Sequence, residues 1–245
     1  MNTNKSLLCF FVVIVQMSVM AFATPEAAIM AITNPSADVT LSFVQPGLIS
    51  KVLIKEGDKV NAEQLLIQQD LEAAEASLAQ KEVDLKRLEG AFGRGSATDL
   101  EVEHAKLAVK MAQITIDRMC LKSPIAGTID KIEVEVGEAV NGLAGVVRVV
   151  KTDPLWIDVP VPLAKGRTLK LGQIAKVKFP DSDKEPSEGK TIYISTVADA
   201  ASSTLRVRIE VPNKLNRPAG EHVRISFSAP DKQLSNEKIT KGESQ

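Results

Sequence analysis

The 245 residues include only two cysteines, Cys9 and Cys120, and Cys9 falls within an N-terminal segment that reads as a removable leader. An exported chain left with one thiol cannot form an internal disulfide, so its stability has to come from packed cores. Aromatic side chains are also scarce, with one Trp and one Tyr, which leaves few stacking platforms for bases or sugars. Neither sign of charge dominates: 30 Lys plus Arg stand against 31 Asp plus Glu. That balance gives no electrostatic argument for nucleic acid, and none is expected as a partner. Beyond Met20 no stretch is apolar enough to cross a bilayer, so any membrane association has to run through the N-terminus or a partner.

The N-terminus itself is informative. Lys5 precedes an apolar run from Leu7 to Met20, and Ala21-Phe22-Ala23 follows. A lone positive charge, an apolar run and a small-x-small site are the parts of a secretory signal peptide. The expected leader is residues 1–23, cleaved after Ala23. The run is shorter than the roughly 20 residues that span a bilayer, and an uncleaved anchor stays open as the alternative. Leu8 and Phe10 are not the small neighbours that a lipid-attachment site at Cys9 would show. At the other end, residues 230–245 form a polar tail expected to be disordered.

Residues 47–61 and 127–141 match at a constant offset of 80. Gly47, Ile49, Lys51, Gly57, Val60 and Asn61 recur as Gly127, Ile129, Lys131, Gly137, Val140 and Asn141. Each copy alternates apolar residues and ends in Gly followed by an acid, the pattern of a half-buried strand and the turn after it. Neither unit can bury a face alone, so the two are predicted to pack on each other as one small β-sandwich built from sequence-distant halves.

The segment between the halves reads as helical. Leu71, Leu78, Leu85 and Phe92 recur every seven residues, with Ala74 and Leu88 between them. Leu100, Leu107, Ile114 and Leu121 do the same, accompanied by His104, Met111 and Arg118. A sustained seven-residue apolar repeat is a coiled-coil seam. The link from Gly93 to Thr98 is short enough to demand an antiparallel hairpin, and Thr98 followed by Glu101 is a capping box that starts its second helix. Each arm would extend roughly 30 Å at 1.5 Å per residue. Lys81 and Lys110 interrupt the apolar positions, a surface that a partner or neighbouring protomer could cover.

From Asp153 onward the sequence breaks into short alternating strands, at 155–159, 175–179, 191–195, 205–211 and 222–227, separated by Pro and Gly. Their spacing predicts a small antiparallel barrel. Arg206, Arg208 and Arg224 read as one polar face, solvated or able to meet an acidic partner.

In this order the features resemble the membrane fusion, or periplasmic adaptor, family of resistance-nodulation-division (RND) and related hemolysin-secretion-type exporters. The resemblance covers residues 38–229. It rests on Leu41-Ser42-Phe43 through Gly47, Gly57-Asp58-Lys59-Val60, Gln64-Leu65-Leu66, Ser123-Pro124-Ile125-Ala126-Gly127 and Val136-Gly137-Glu138. In the last segment it rests on Asp153-Pro154-Leu155-Trp156, Val207 through Asn213 and Arg217-Pro218. The fold it implies is mixed α and β but mainly β. A lipoyl-like barrel-sandwich hybrid in two halves, 24–70 and 121–152, carries an inserted α-helical hairpin at 71–120 and is followed by a β-barrel at 153–229. Its implied partners are an inner-membrane efflux pump, an outer-membrane channel and further copies of itself in a ring, and its implied location is the periplasm, associated with the inner membrane through the pump or an uncleaved N-terminal anchor. The family's channel-docking pattern of Arg, then Leu, then Ser falls on Arg87, Ala91 and Thr98, so the Leu is replaced by Ala. Arg94 in the link is a further tip candidate, and Arg87 can equally be a solvated helix residue. The family turn carries Gly before Gln-Leu-Leu; here Ala62-Glu63 stands instead, implying a conformation that does not need Gly. Because the chain ends soon after the barrel, a membrane-proximal domain is expected to be reduced or absent.

Other function classes find less support in the residues. A biotin or lipoate carrier needs a Lys at the tip joining the two halves; here Gln68-Gln69-Asp70 leads into a helix. His104 and His222 have no Cys or carboxylate at triad or metal spacing, and Cys120 reads as a small core residue. No catalytic residue, metal or cofactor is expected. An envelope scaffold with adaptor architecture but no pump of its own remains the alternative.

Overall fold

The computed structural model describes residues 28–180 and 186–227. The expected leader at 1–23 and the tail at 230–245 lie outside the described residues. Two apolar cores form, one in a barrel and one in a sandwich, and two long strands run through both. These are β1 (Ile29–Ser42) and β8 (Gly145–Pro162), antiparallel from Ile32 opposite Asp158 to Ser42 opposite Gly145.

The barrel closes because every strand has a partner on each side. The ring runs β1, β12 (His222–Phe227), β9 (Ile174–Lys178), β10 (Ser187–Asp199), β11 (Thr204–Val211), β8 and back to β1. Alternation fills its interior. Leu155, Ile157, Val159 and Val161 point inward from β8, and Val207, Ile209, Val211, Val223, Ile225 and Phe227 meet them. Closure leaves no unpaired sheet edge there.

The sandwich sets β3 (Lys59–Val60), β6 (Gly127–Ile132) and the lower halves of β1 and β8 against a four-stranded sheet. That sheet runs β5 (Cys120–Lys122), β4 (Leu65–Gln69), β2 (Gly47–Val52) and β7 (Ala139–Val140). The repeat exchanges strands with itself. Gly47 stands opposite Val140 and, in the other half, Val60 stands opposite Gly127. The turns obey the same symmetry: Gly57 and Gly137 have φ of 88° and 89°. Asp58 accepts from the Lys55 N–H at 2.8 Å as Glu138 accepts from the Glu135 N–H at 3.0 Å. Phe43, Ile49, Leu66, Ile67, Ile129 and Val149 share one core drawn from both halves.

Two expectations need correction. Ala62-Glu63 does adopt the conformation that suits glycine: Glu63 has φ 64°, and its repeat counterpart Leu143 has φ 66°. Each N–H is held by a carbonyl of the other half, Glu63 to Ser123 at 2.7 Å and Leu143 to Phe43 at 2.8 Å. Those bonds offset the ~1–2 kcal/mol that a side chain costs in the left-handed region. The domain limits also shift. Residues expected in the first sandwich half begin in the barrel, where Ile29–Ile32 pair with β12 and Ala31 is buried in the barrel core. The limit at 152–153 lies within β8 between Val149 of the sandwich core and Leu155 of the barrel core, whereas Cys120, expected in the hairpin, opens β5.

Candidate docking site on the helical hairpin

Two antiparallel helices, α1 (Glu72–Phe92) and α2 (Asp99–Arg118), leave the sandwich between β4 and β5. Both roots are anchored: Leu71 is buried, and the Gln69 N–H donates to the Met119 carbonyl at 2.9 Å. Gln69 is itself buried beneath Gly47, where an added Cβ would lie 2.8 Å from its amide group, and its Nε2 donates to the Gln45 carbonyl. The place where a carrier would expose its Lys is therefore a packed corner.

On α1 the expected seam holds: Ala74, Leu78, Leu85 and Leu88 are half-buried, while Phe92 at the helix end is 48 % exposed. On α2 the expected series is covered only at its base, where Ile114 is half-buried and Leu121 is buried; nearer the tip the packed stripe is a different one. Val102 is buried, and Ala105, Val109, Ala112 and Ile116 continue that stripe half-buried. Leu100, Leu107 and Met111, expected in the seam, are 66 %, 57 % and 66 % exposed, and His104 is exposed beside them. At 100° per residue the two stripes lie on nearly opposite sides of α2. The physical reason is size. Small Ala and Val residues let α2 approach the Leu residues of α1 closely, whereas two facing Leu ridges would hold the helices apart.

The tip is ordered by backbone chemistry. The Ala91 carbonyl accepts from the N–H groups of Arg94 and Ser96, and Gly95 turns the chain at φ 72°. Thr98 then starts α2. Its Oγ accepts from the Glu101 N–H at 3.3 Å, while its own N–H and hydroxyl donate to the Glu101 carboxylate at 2.7 and 2.8 Å, forming the capping box the sequence predicts. Those two donated bonds, the backbone one first, hold the Glu101 carboxyl below its usual range. Arg87 lies 3.4 Å from Asp84 on the same helix, with its side chain 77 % exposed. Arg94 folds back beside Gly90. The four tip candidates thus divide. Arg87 and Arg94 present cations to solvent, Ala91 supplies a capping carbonyl, and the Thr98 hydroxyl is engaged in the cap. Phe92 and Leu100, which sequence reasoning assigned to the seam, stand exposed within the same tip. The alternative frame through Val102, Ala105, Val109 and Ala112 was the signal that could have found them.

Elsewhere the candidates disperse. Arg208 clasps Asp158 at 2.7 and 2.9 Å and stacks over Trp156, Arg206 lies over Tyr193, and Arg224 stands opposite Lys178 on another part of the barrel. They do not form one face, because β11 and β12 are not neighbours. His222 is an exposed barrel residue, and the half-buried Cys120 thiol is pushed up by burial. No group of three or more His, Cys, Asp or Glu side chains able to hold a metal occurs among the described residues, and none of their helices is long and apolar enough to cross a membrane.

The architecture is therefore a strand-exchanged sandwich that raises a helical stalk from one end and continues into a closed barrel at the other. Residues 38–150 match the family model for the RND MFP barrel-sandwich hybrid domain, and residues 154–231 match that for the CusB-like, beta-barrel domain. The chain belongs to the membrane fusion protein family of RND systems. Among curated proteins it is similar to the multidrug resistance protein MexA of Pseudomonas aeruginosa, 29 % identical over 238 residues, covering 79 % of this chain and 62 % of that one. It is also similar to the membrane fusion protein MtrC of Neisseria gonorrhoeae, 26 % identical over 222 residues, covering 73 % and 54 %. The chain thus spans between half and two thirds of the length of these two curated relatives. Among solved structures, a MacA-MexA chimera containing the Pseudomonas aeruginosa MexA α-hairpin domain superposes with a TM-score of 0.71. Identity there is 18 %, with 82 % of this chain and 80 % of that one covered.

Proposed function

We propose that this chain is the periplasmic adaptor of an efflux or secretion transporter, linking an inner-membrane pump to an outer-membrane channel. The observation that carries the reading is the second apolar stripe of α2, which faces away from its own hairpin partner. A helix that is apolar on two opposite sides suits a wall of helices, with its own α1 on one side and another helix on the other. The far face of α1 offers complementary small positions. Counted from the tip, Gly90, Val83 and Ala76 stand at the same heights as Leu100, Leu107 and Ile114. Packing α2 of one copy on α1 of the next is a head-to-tail contact, the kind that closes into a ring when the rotation allows. Rings of hairpins would bring Phe92, Leu100, Arg87 and Arg94 together at one rim. That rim is the proposed channel-docking surface, with Phe92 and Leu100 supplying the apolar contact that Ala91 lacks.

The adaptor role assigns no bond chemistry to this chain; the pump supplies the energy. Deleting the gene should sensitise cells to exported compounds, and an unchanged sensitivity would favour the scaffold reading. A cysteine at Arg94, in a Cys120→Ser background, should crosslink to an outer-membrane channel. Capture of no channel by that cysteine would remove the docking assignment.

A further inference from the structure

The barrel end that points away from the hairpin has a chemical character the adaptor reading does not use. Between Asp158 and Asp181 the sequence contains Lys165, Arg167, Lys170, Lys176 and Lys178 but no Asp or Glu. The topology puts the first part of this segment at the far end of the barrel. β8 reaches Pro162 there, and a short helix α3 (Leu163–Gly166) and a turn at 170–173 lead back into β9. The turn is held tightly. The Gly172 N–H donates to the Thr191 carbonyl at 2.8 Å, the Thr191 N–H to the Gln173 carbonyl at 2.9 Å, and the Lys170 N–H to the Gln173 side chain at 3.1 Å. Gly172 takes φ 83°, a conformation that favours Gly. At the apex of this rigid turn Leu171 is 68 % exposed, and Ile174 beside it is 42 % exposed. Arg167, Lys170, Lys176 and Lys190 are exposed around them, with Lys190 passing close to Gly172. Among the described residues none of these four cations has a carboxylate within 4.0 Å; by register Glu188 stands opposite Lys176 and Glu210 opposite Lys190.

We propose that this turn, with Leu171 as its apolar wedge and Arg167, Lys170, Lys176 and Lys190 as its cations, docks on the anionic phospholipid surface of a bilayer. An apolar residue fixed in water at the centre of a basic rim fits a headgroup layer, where the side chain enters the acyl boundary and the cations meet phosphates. The place where the described chain enters and leaves the barrel supports the membrane over an acidic protein. Phe227 pairs with Ala175 next to the turn, and Ala28 lies in the same cleft as Lys176. The apolar Leu7–Met20 run is upstream of Ala28 in the sequence. Were it retained in the bilayer, residues 21–27 would reach at most roughly 25 Å, keeping this end of the barrel at the membrane.

The test is flotation of the full chain with vesicles of phosphatidylcholine alone, or with about a third phosphatidylglycerol, at low and high salt. Binding should require the anionic lipid and weaken with salt. Arg167→Glu with Lys170→Glu should lower it at least roughly thirtyfold, and Leu171→Ser roughly tenfold. Arg167→Lys with Lys170→Arg should bind as the parent does, a control that holds even if charge reversal disturbs folding. Binding indifferent to lipid charge and salt would assign all attachment to the N-terminal run and overturn the proposal. So would charge reversal that spares vesicle binding but removes a co-purifying acidic envelope protein, which would make the face a protein contact. The assay needs no pump or channel, so its failure leaves the adaptor reading standing.

Discussion

Arg148 clasps Asp38 on the neighbouring strand with two hydrogen bonds, Nε to Oδ1 at 2.9 Å and Nη2 to Oδ2 at 2.6 Å, while its Nη1 reaches Asp130 at 2.9 Å. One guanidinium thus joins β1, which enters the first half of the repeat, to β6 of the second. The hydrogen bond from Arg148 is the main cause holding the Asp38 carboxyl below its usual range. A depressed carboxylate contributes stability above its unfolded pKa and loses it as pH falls through the lower folded value. The pair's contribution should therefore be complete at neutral pH and fade below about pH 4. Both side chains are over a third exposed, so screening keeps the effect small. Urea midpoints across pH should show Arg148→Met with a shallower acid limb than the parent; parallel limbs would remove the pair from the account.

Close approach of backbone fixes a second outcome. A Cβ on Gly127 would lie 2.5 Å from the Val150 carbonyl oxygen, whereas one on Gly47 would meet only the Gln69 side chain at 2.8 Å. Gly127→Ala should cost about 2 kcal/mol or more and Gly47→Ala less, since a side chain moves more cheaply than a β ladder. Denaturant titration of both variants checks the order; equal costs would argue against it.

Leu143 is 77 % exposed and sits at φ 66°. Leu143→Gly therefore relieves backbone strain while exposing little new surface, and should raise stability by up to about 1 kcal/mol, the left-handed penalty less the added freedom of the unfolded chain. A lowered thermal midpoint would contradict it.

The two stripes of α2 separate stability from assembly. Val102→Ala removes buried methyl groups facing α1 and should cost about 1.5 kcal/mol. Leu107→Ser should leave monomer stability within about 0.5 kcal/mol yet impair efflux. Cysteines paired at Val83 and Leu107, in a Cys120→Ser background, should give a ladder of disulfide-linked oligomers. A monomer-only pattern would exclude the head-to-tail packing of hairpins.

Thr98→Ala removes the cap and should lower hairpin stability by about 1 kcal/mol, whereas Arg94→Glu should leave stability unchanged and reduce channel crosslinking. Loss of crosslinking only in the less stable variant would mean that the tip acts through its order rather than its charge.

Much of this architecture is legible in the sequence. The repeat carries its own folding instruction, because Gly57 and Gly137 mark equivalent turns and neither half can bury Ile49 or Ile129 alone. The capping box at Thr98 and Glu101 is equally local, resting on backbone donors that every helix start leaves free. The choice of seam on α2 was not legible. Leu100, Leu107 and Ile114 form as regular a series as Val102, Ala105, Val109 and Ala112, and periodicity alone does not tell which one a neighbouring helix covers.

The amino-acid sequence by itself determined the elements, their order and the closure of two distant halves, since period, glycine placement and capping act over a few residues. Tertiary structure alone decided which partner each strand and stripe took. It put the start of β1 into the barrel, turned the leucines of α2 outward and gathered cations from separate segments around Leu171. Those outcomes depend on side-chain volume and strand pairing across long stretches of chain, and no local pattern encodes them.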